Sequence, residues 1–277
     1  MTTTVPGPPT APRSGRPARL RWWKELATVV VFYLVYSWIR NQFGSEAVQA
    51  SDAFANAERI IDVERALGSY HEETVQEWFL DDRWFIQSWN LFYGTFHFVV
   101  TAGALIYLYV RQGHRYVRLR TTLAVTTALA LIGFALFPLM PPRLLPDRYG
   151  FVDTLRTYGG LWSFDDGALK KVSNQYAAMP SLHFAWATWS TMVLLPALRR
   201  TWASALIAVY PLLTLFAIVV TANHYWIDAA GGALILGLGY LAGRWWDSVR
   251  QGGTGEGDEV AAPPSPERPG REPAGLA

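Results

Sequence analysis

The sequence predicts an all-α integral membrane protein: a six-transmembrane helical bundle with an exoplasmic amphipathic helical segment between spans 1 and 2. Three observations predict it. Of the 277 residues 51% are apolar, only 17% are charged and 13 are Trp, which is a membrane profile rather than a soluble one. Apolar runs long enough to enter a bilayer recur along the chain. The charges between them segregate by sign. A formal net charge of +2 predicts no nucleic-acid partner, and the absence of Cys excludes disulfides, thiol nucleophiles and Cys-ligated metals.

Residues 1–20 are rich in Thr, Pro, Gly and Arg without apolar periodicity, and read as a disordered cytoplasmic tail. The membrane domain is expected over 21–247. Its first span, Trp22 to Ile39, reads as a retained signal anchor because no small-x-small cleavage site follows it. Residues 41–83 are strongly acidic. Their apolar positions (Phe54, Ala57, Ile61, then Val75, Trp78, Phe79) recur at helical spacing, so two amphipathic helices on the membrane surface are expected, separated at Gly68-Ser69. The second span covers Trp84 to Val110. After a basic loop with Arg111, Arg115, Arg118 and Arg120, the third covers Thr121 to Leu139 and stops at Pro141-Pro142. Ser181–Leu198, Trp202–Thr221 and Tyr225–Gly243 make the fourth, fifth and sixth. Residues 248–277, rich in Pro, Gly and Glu, read as a second disordered cytoplasmic tail.

In this layout every basic loop lies on one side and the acidic segment on the other, the positive-inside pattern. Both termini are then cytoplasmic, and the expected location is the plasma membrane as a multi-pass protein. The same layout puts Arg143, His183, His224 and Asp228 on the exoplasmic side at similar depth. Ionisable groups at such positions read as functional.

His224 and Asp228 stand four apart at a helix start, hence on one face. A carboxylate on one ring nitrogen fixes the tautomer and leaves the other nitrogen as nucleophile or base. Phosphoryl transfer further needs positive charge around the equatorial oxygens and an acid for the leaving oxygen. His183, in the first turn after Pro180, is the candidate acid, with Ser181 beside it at the phosphate-favouring helix N-terminus. Arg143 offers a bidentate fork. Lys170 and Lys171 are further candidates for charge on the phosphate.

Pro180-Ser181-Leu182-His183 and His224-x-x-x-Asp228 resemble the second and third signature motifs of the type 2 phosphatidic acid phosphatase superfamily. Their spacing, the span layout and Pro141-Pro142-Arg143-Leu144-Leu145-Pro146 look more like the branch containing inositol phosphorylceramide synthases. The resemblance covers residues 84–243. It implies that His224 forms a phosphohistidine, that Asp228 orients it, and that His183 protonates the leaving alkoxide and then activates the acceptor. It also implies a lipid phosphate or phospholipid substrate, an alcohol acceptor such as inositol where the enzyme is an inositolphosphotransferase-like transferase, and no cofactor. The chain departs from the phosphatase pattern at three places: Leu136 stands where a Lys precedes the first-motif Arg, Leu182 where the second motif has Gly, and Ala217-Ile218 where the third has Ser-Arg. The synthase-like branch would show such departures.

Competing readings stay in view. His-x-x-x-Asp with another His could hold zinc in a metal-dependent membrane hydrolase. A non-enzymatic lipid-binding or transport protein could also place charges near its spans, although neither internal repeats nor interrupted helices are visible. Tyr93 and His97, one turn apart in the second span, read either as a hydrogen-bonded pair within the bundle or as supporting residues of the site. Gly239-x-x-x-Gly243 reads as close packing inside the bundle.

Overall fold

The structure, a computed structural model, describes residues 49–159 and 175–252 together with Trp23, Glu25, Ala27, Val30, Val31 and Leu34. Lys170, Lys171, residues 1–20 and residues 253–277 lie outside the described residues, so the candidate lysines and most of the tails are not placed. The same holds for most of the expected first span, whose six described residues are helical. Glu25 from that stretch pairs with Arg120.

Helices α1 (Ala50–Ala66) and α2 (Glu72–Glu77) form the acidic segment, and Gly68, with φ +68°, makes the turn between them. Helix α3 (Arg83–Arg111) starts where the Asp82 carboxylate accepts from the Phe85 N–H at 3.0 Å. Helix α4 (Gly113–Leu136) follows after Gln112 alone. Of the basic stretch expected as a loop, Arg111 therefore ends α3 and Arg115, Arg118 and Arg120 lie in the first turns of α4. Arg is a good helix former, and the turn needs only Gln112 and Gly113. After short turns at Pro142–Leu144 and Asp147–Tyr149 comes α5 (Thr154–Tyr158), then α6 (Leu182–Leu194), α7 (Thr201–Val220) and α8 (Trp226–Gly252). Helix α8 thus runs past the expected end of the membrane domain at 247.

Among the described residues, four helices (α3, α4, α7 and α8) are long and apolar enough to cross a bilayer, and the chain is an integral membrane protein. The expected fourth span is the short one. The 13 residues of α6 rise about 20 Å at 1.5 Å each, less than a hydrocarbon core of about 30 Å, before a tight turn at Leu195–Ala197.

Helices α4 and α8 pack antiparallel over their length, and small residues on α8 let the backbones meet. A Cβ on Gly239 would strike the Thr126 hydroxyl and the Thr122 carbonyl, and one on Gly243 would strike the Arg118 carbonyl. The glycine pair therefore packs inside the bundle, as expected. Helices α3 and α7 also run antiparallel, with Trp89 against Phe216 at 4.8 Å and Phe92 against Tyr210 at 6.1 Å. Helix α6 fills the middle, where Trp189 is fully buried and donates to the Leu119 carbonyl at 2.9 Å. The N-terminal ends of α3, α6 and α8 consequently meet the C-terminal ends of α4 and α7 at one end of the bundle.

At that end the acidic segment departs from expectation. The apolar stripe of α1 (Ala53, Ala57, Ile60, Ile61) is buried against Leu139, Met140, Leu145 and Tyr225 of the same chain, not laid on lipid. The reason is steric: small alanines let α1 approach the 139–145 loop closely enough for the Met140 N–H to donate to the Ala53 carbonyl at 3.1 Å. Gln76 of α2, also buried, accepts from the Val152 N–H at 2.8 Å and donates to the Val152 carbonyl at 3.0 Å. Together α1, α2 and the 139–159 loop roof the end of the bundle.

Candidate active site

Two backbone features bring the motifs of α6 and α8 together. The Ser181 N–H donates to the Asp228 carbonyl at 2.9 Å, tying the start of α6 to the first turn of α8. Gly232, one turn after Asp228, faces the Ser181 carbonyl so closely that any Cβ there would overlap it. Ser181 itself is fully buried and caps α6, its hydroxyl oxygen accepting from the Phe184 N–H at 3.4 Å. Its oxygen is thus engaged in the fold.

The loop from α7 to α8 presents His224. Ala222 has φ +53°, a left-handed conformation that costs a non-glycine residue free energy and marks a held turn. Around it, the Asn223 and His224 N–H groups both donate to the Ile218 carbonyl, at 2.9 and 3.1 Å. His224 is buried, and its Nδ1 lies 3.1 Å from Asp228 Oδ2. The same carboxylate oxygen accepts from the Tyr225 N–H at 3.0 Å. A carboxylate accepting from Nδ1–H leaves Nε2 as the nitrogen with a lone pair.

Arg143 reaches the same loop. Its N–H donates to the Ala222 carbonyl at 2.8 Å, its Nε to Asn223 Oδ1 at 3.0 Å, and its Nη1 to Asp153 Oδ2 at 3.0 Å. Among the described residues Nη2 makes no hydrogen bond. Asn223 is in turn fixed by donating to the Thr221 hydroxyl at 2.8 Å. Asp153 caps α5 through the Arg156 N–H at 3.3 Å. Neither Asn223 nor Asp153 was expected from the sequence, because a partner for an arginine fork is chosen by tertiary approach and leaves no spacing signal.

On the other side stands His183, its ring 5.5 Å from that of His224 between centroids. Tyr93 stacks on it at 4.4 Å and 23°, and His97 meets it edge-on at 4.1 Å. The His97 Nδ1 donates to the Tyr93 carbonyl at 2.9 Å, so both readings of this pair have content: it is hydrogen-bonded within α3, and it borders the site. A narrow apolar crevice beside His183 is lined by Phe92, Tyr93, His97, Thr214, Ala217 and Ile218. Ala217 and Ile218, where the phosphatase pattern has Ser-Arg, are fully buried. Among the described residues no three His, Asp or Glu side chains are grouped as ligands of a metal ion.

His183, His224, Asp228, Arg143, Tyr93 and His97 are therefore neighbours, although they come from α3, the 139–145 loop, α6 and α8. The arrangement sets two imidazoles 5.5 Å apart, with Arg143 bonded to the loop that presents one of them. Compared with known protein families, the chain matches the PAP2 superfamily over residues 58–242, well over half its length. The match begins at Glu58, so most of the acidic segment, which the motif resemblance leaves out, falls within it. No curated protein and no solved structure gave a match. The paired imidazoles at the start of α6 and α8 thus sit inside the matched region, and the chain belongs to the PAP2 superfamily.

Proposed function

We propose that this membrane enzyme transfers or hydrolyses a lipid phosphate headgroup through a phosphohistidine on His224. Membership of the PAP2 superfamily supports a lipid phosphatase- or phosphotransferase-type function. The observation that carries the mechanism is the 3.1 Å contact of His224 Nδ1 with a fully buried Asp228, facing His183 across 5.5 Å.

In the first step the Nε2 lone pair of His224 forms an N–P bond. The P–O bond to the leaving group breaks, and a protonated His183 delivers its proton to the departing alkoxide. Arg143 Nη2 faces the equatorial oxygens. In the second step the now neutral His183 takes the proton of an incoming hydroxyl, whose oxygen forms a bond to phosphorus as the N–P bond breaks. Water as acceptor gives a phosphatase. An alcohol such as inositol gives a transferase, and the missing Ser-Arg pair at Ala217-Ile218 favours that branch. In the proposed setting the chain has six spans, with both termini cytoplasmic and the site on the exoplasmic face of the plasma membrane. Lys170 and Lys171 remain candidates for the phosphate.

The test incubates purified protein in detergent with labelled phosphatidic acid, polyprenyl phosphates and phosphatidylinositol, with and without alcohol acceptors. Wild type should yield an acid-labile, alkali-stable phosphoprotein that His224→Ala lacks. Activity lost to a chelator and restored by zinc would replace this mechanism with a metal-dependent one. Labelling of a cysteine placed in residues 160–174 only after permeabilisation would refute the exoplasmic site.

A further inference from the structure

The first turn of α8 is held by carboxyl groups from outside the bundle. Its Ile227 N–H donates to Glu64 Oε1 at 2.8 Å and its Trp226 N–H to Glu72 Oε1 at 3.2 Å, while the preceding Tyr225 N–H goes to Asp228. These are the orphan donors that every helix start must satisfy. Glu64 and Glu72 are 1% and 0% exposed, and the second oxygen of each, Oε2, is buried with no donor among the described residues. Two carboxylates left so would be two unpaired buried charges beside a third, Asp228, which no fold of this size tolerates cheaply. A proton between them removes one charge and satisfies both oxygens.

We propose that Glu64 and Glu72 share one proton and, as a pair, seat the first turn of α8 so that Asp228 holds His224 in its reactive orientation. They are positioning residues, and this role rests on the nucleophile assigned above; the shared proton does not. Burial first, and then the neighbouring Glu72 carboxyl, push the Glu64 carboxyl from 4.5 up to about 9. The groups facing the pair are Asp228 and Tyr225 at the start of α8 and Tyr70 on the acidic segment, and Tyr70 in turn faces Arg65 and Glu73. Arg65 lies 4.9 Å from the ring centre of Tyr70 and makes no ion pair with Glu64 or Glu72 among the described residues. The sign of the linkage follows. The folded chain keeps a proton that the unfolded chain releases near 4.5, so folding stability falls as pH rises from that value to about 9.

Glutamine at position 64 mimics the protonated acid: its carbonyl accepts from Ile227, its amide donates to Glu72, and it does not titrate. The melting temperature of the purified protein should therefore fall between pH 6 and 9 in wild type and fall much less in Glu64→Gln. The difference infrared spectrum should lose a protonated-carboxyl C=O band in that variant. With a lipid phosphate found to be turned over, Glu64→Ala should lower kcat by about 10–100-fold with little change in KM, and Glu64→Gln should restore most of it and extend activity to higher pH. Equal melting profiles for wild type and Glu64→Gln, or a glutamine variant as impaired as the alanine one, would overturn the proposal. A wild type that turns over no lipid phosphate would sink the proposed function alone, since the melting and infrared comparison still decides the shared proton.

Discussion

The two imidazoles of the site are held by different physics. Around His224 the contacts are hydrogen bonds. Its backbone N–H goes to Ile218, its ring to Asp228, and the next three N–H groups to Asp228, Glu72 and Glu64. Around His183 the contacts are faces and edges of rings, and among the described residues no hydrogen bond fixes its imidazole. Hydrogen bonds to charged groups contribute about 1.5–3 kcal/mol each, ring contacts about 0.5–1.5 kcal/mol and with softer orientation. The difference suits the proposed division of labour. A nucleophile must stand in line with phosphorus throughout, whereas the acid serves a departing oxygen first and an arriving one afterwards.

Breaking the bonded half should cost most. Asp228→Asn keeps the size of the side chain but removes the acceptor that sets the His224 tautomer. Turnover is expected to fall by about 10³–10⁴-fold, with the loss in formation of the phosphoenzyme measured in a single turnover. A loss spread equally over KM would mean that Asp228 binds substrate and does not orient the ring. Next comes Arg143→Lys. One ammonium on a flexible stem does not span Asn223, Asp153 and an anion together, so kcat/KM should drop by about 10–100-fold, while Asn223→Ala should lose part of the same energy without adding to it.

How much of this was open to a reading of the chain depends on what sort of contact is involved. Helix identity was legible wherever apolar periodicity ran long, as in α3 and α7. The His224–Asp228 pair was legible because four residues on a helix is a geometric statement. Arg115, Arg118 and Arg120 misled, since charge between two apolar runs reads as a loop although arginine continues a helix readily. Glu64 does carry a signal: it continues the Ala53, Ala57, Ile60 stripe at helical spacing, which puts a carboxyl on the buried face. Glu72, Asn223 and Asp153 carried none. Each is defined by a partner that only tertiary approach supplies, and Ala222 adopts its left-handed turn without the Gly or Asn that would announce it.

The stacked half should yield more gently. His97→Phe keeps a ring against His183 and removes only the nitrogens, so turnover should fall about fivefold, the equivalent of one neutral hydrogen bond. His97→Ala takes away the ring contact as well and should cost more. Were the two variants equally impaired, the imidazole nitrogens of His97 would be handling protons, and the stacked half would be a relay.

Smallest of all should be Thr101→Val. The Thr101 hydroxyl lies 3.2 Å from that of Ser190, one turn below the His97–His183 contact, and it ties α3 to α6. Hydrogen bonds between helices inside a bilayer contribute about 0.6 kcal/mol on average, because the separated helices find other partners. Valine preserves shape and leaves Ser190 able to bond within its own helix, so melting should shift slightly and turnover change less than about threefold. A larger loss in turnover than in stability would show that the tilt of α6 sets the position of His183. The acid would then be held through its helix and not through its ring, and the contrast between the two halves would narrow to the first turn of each.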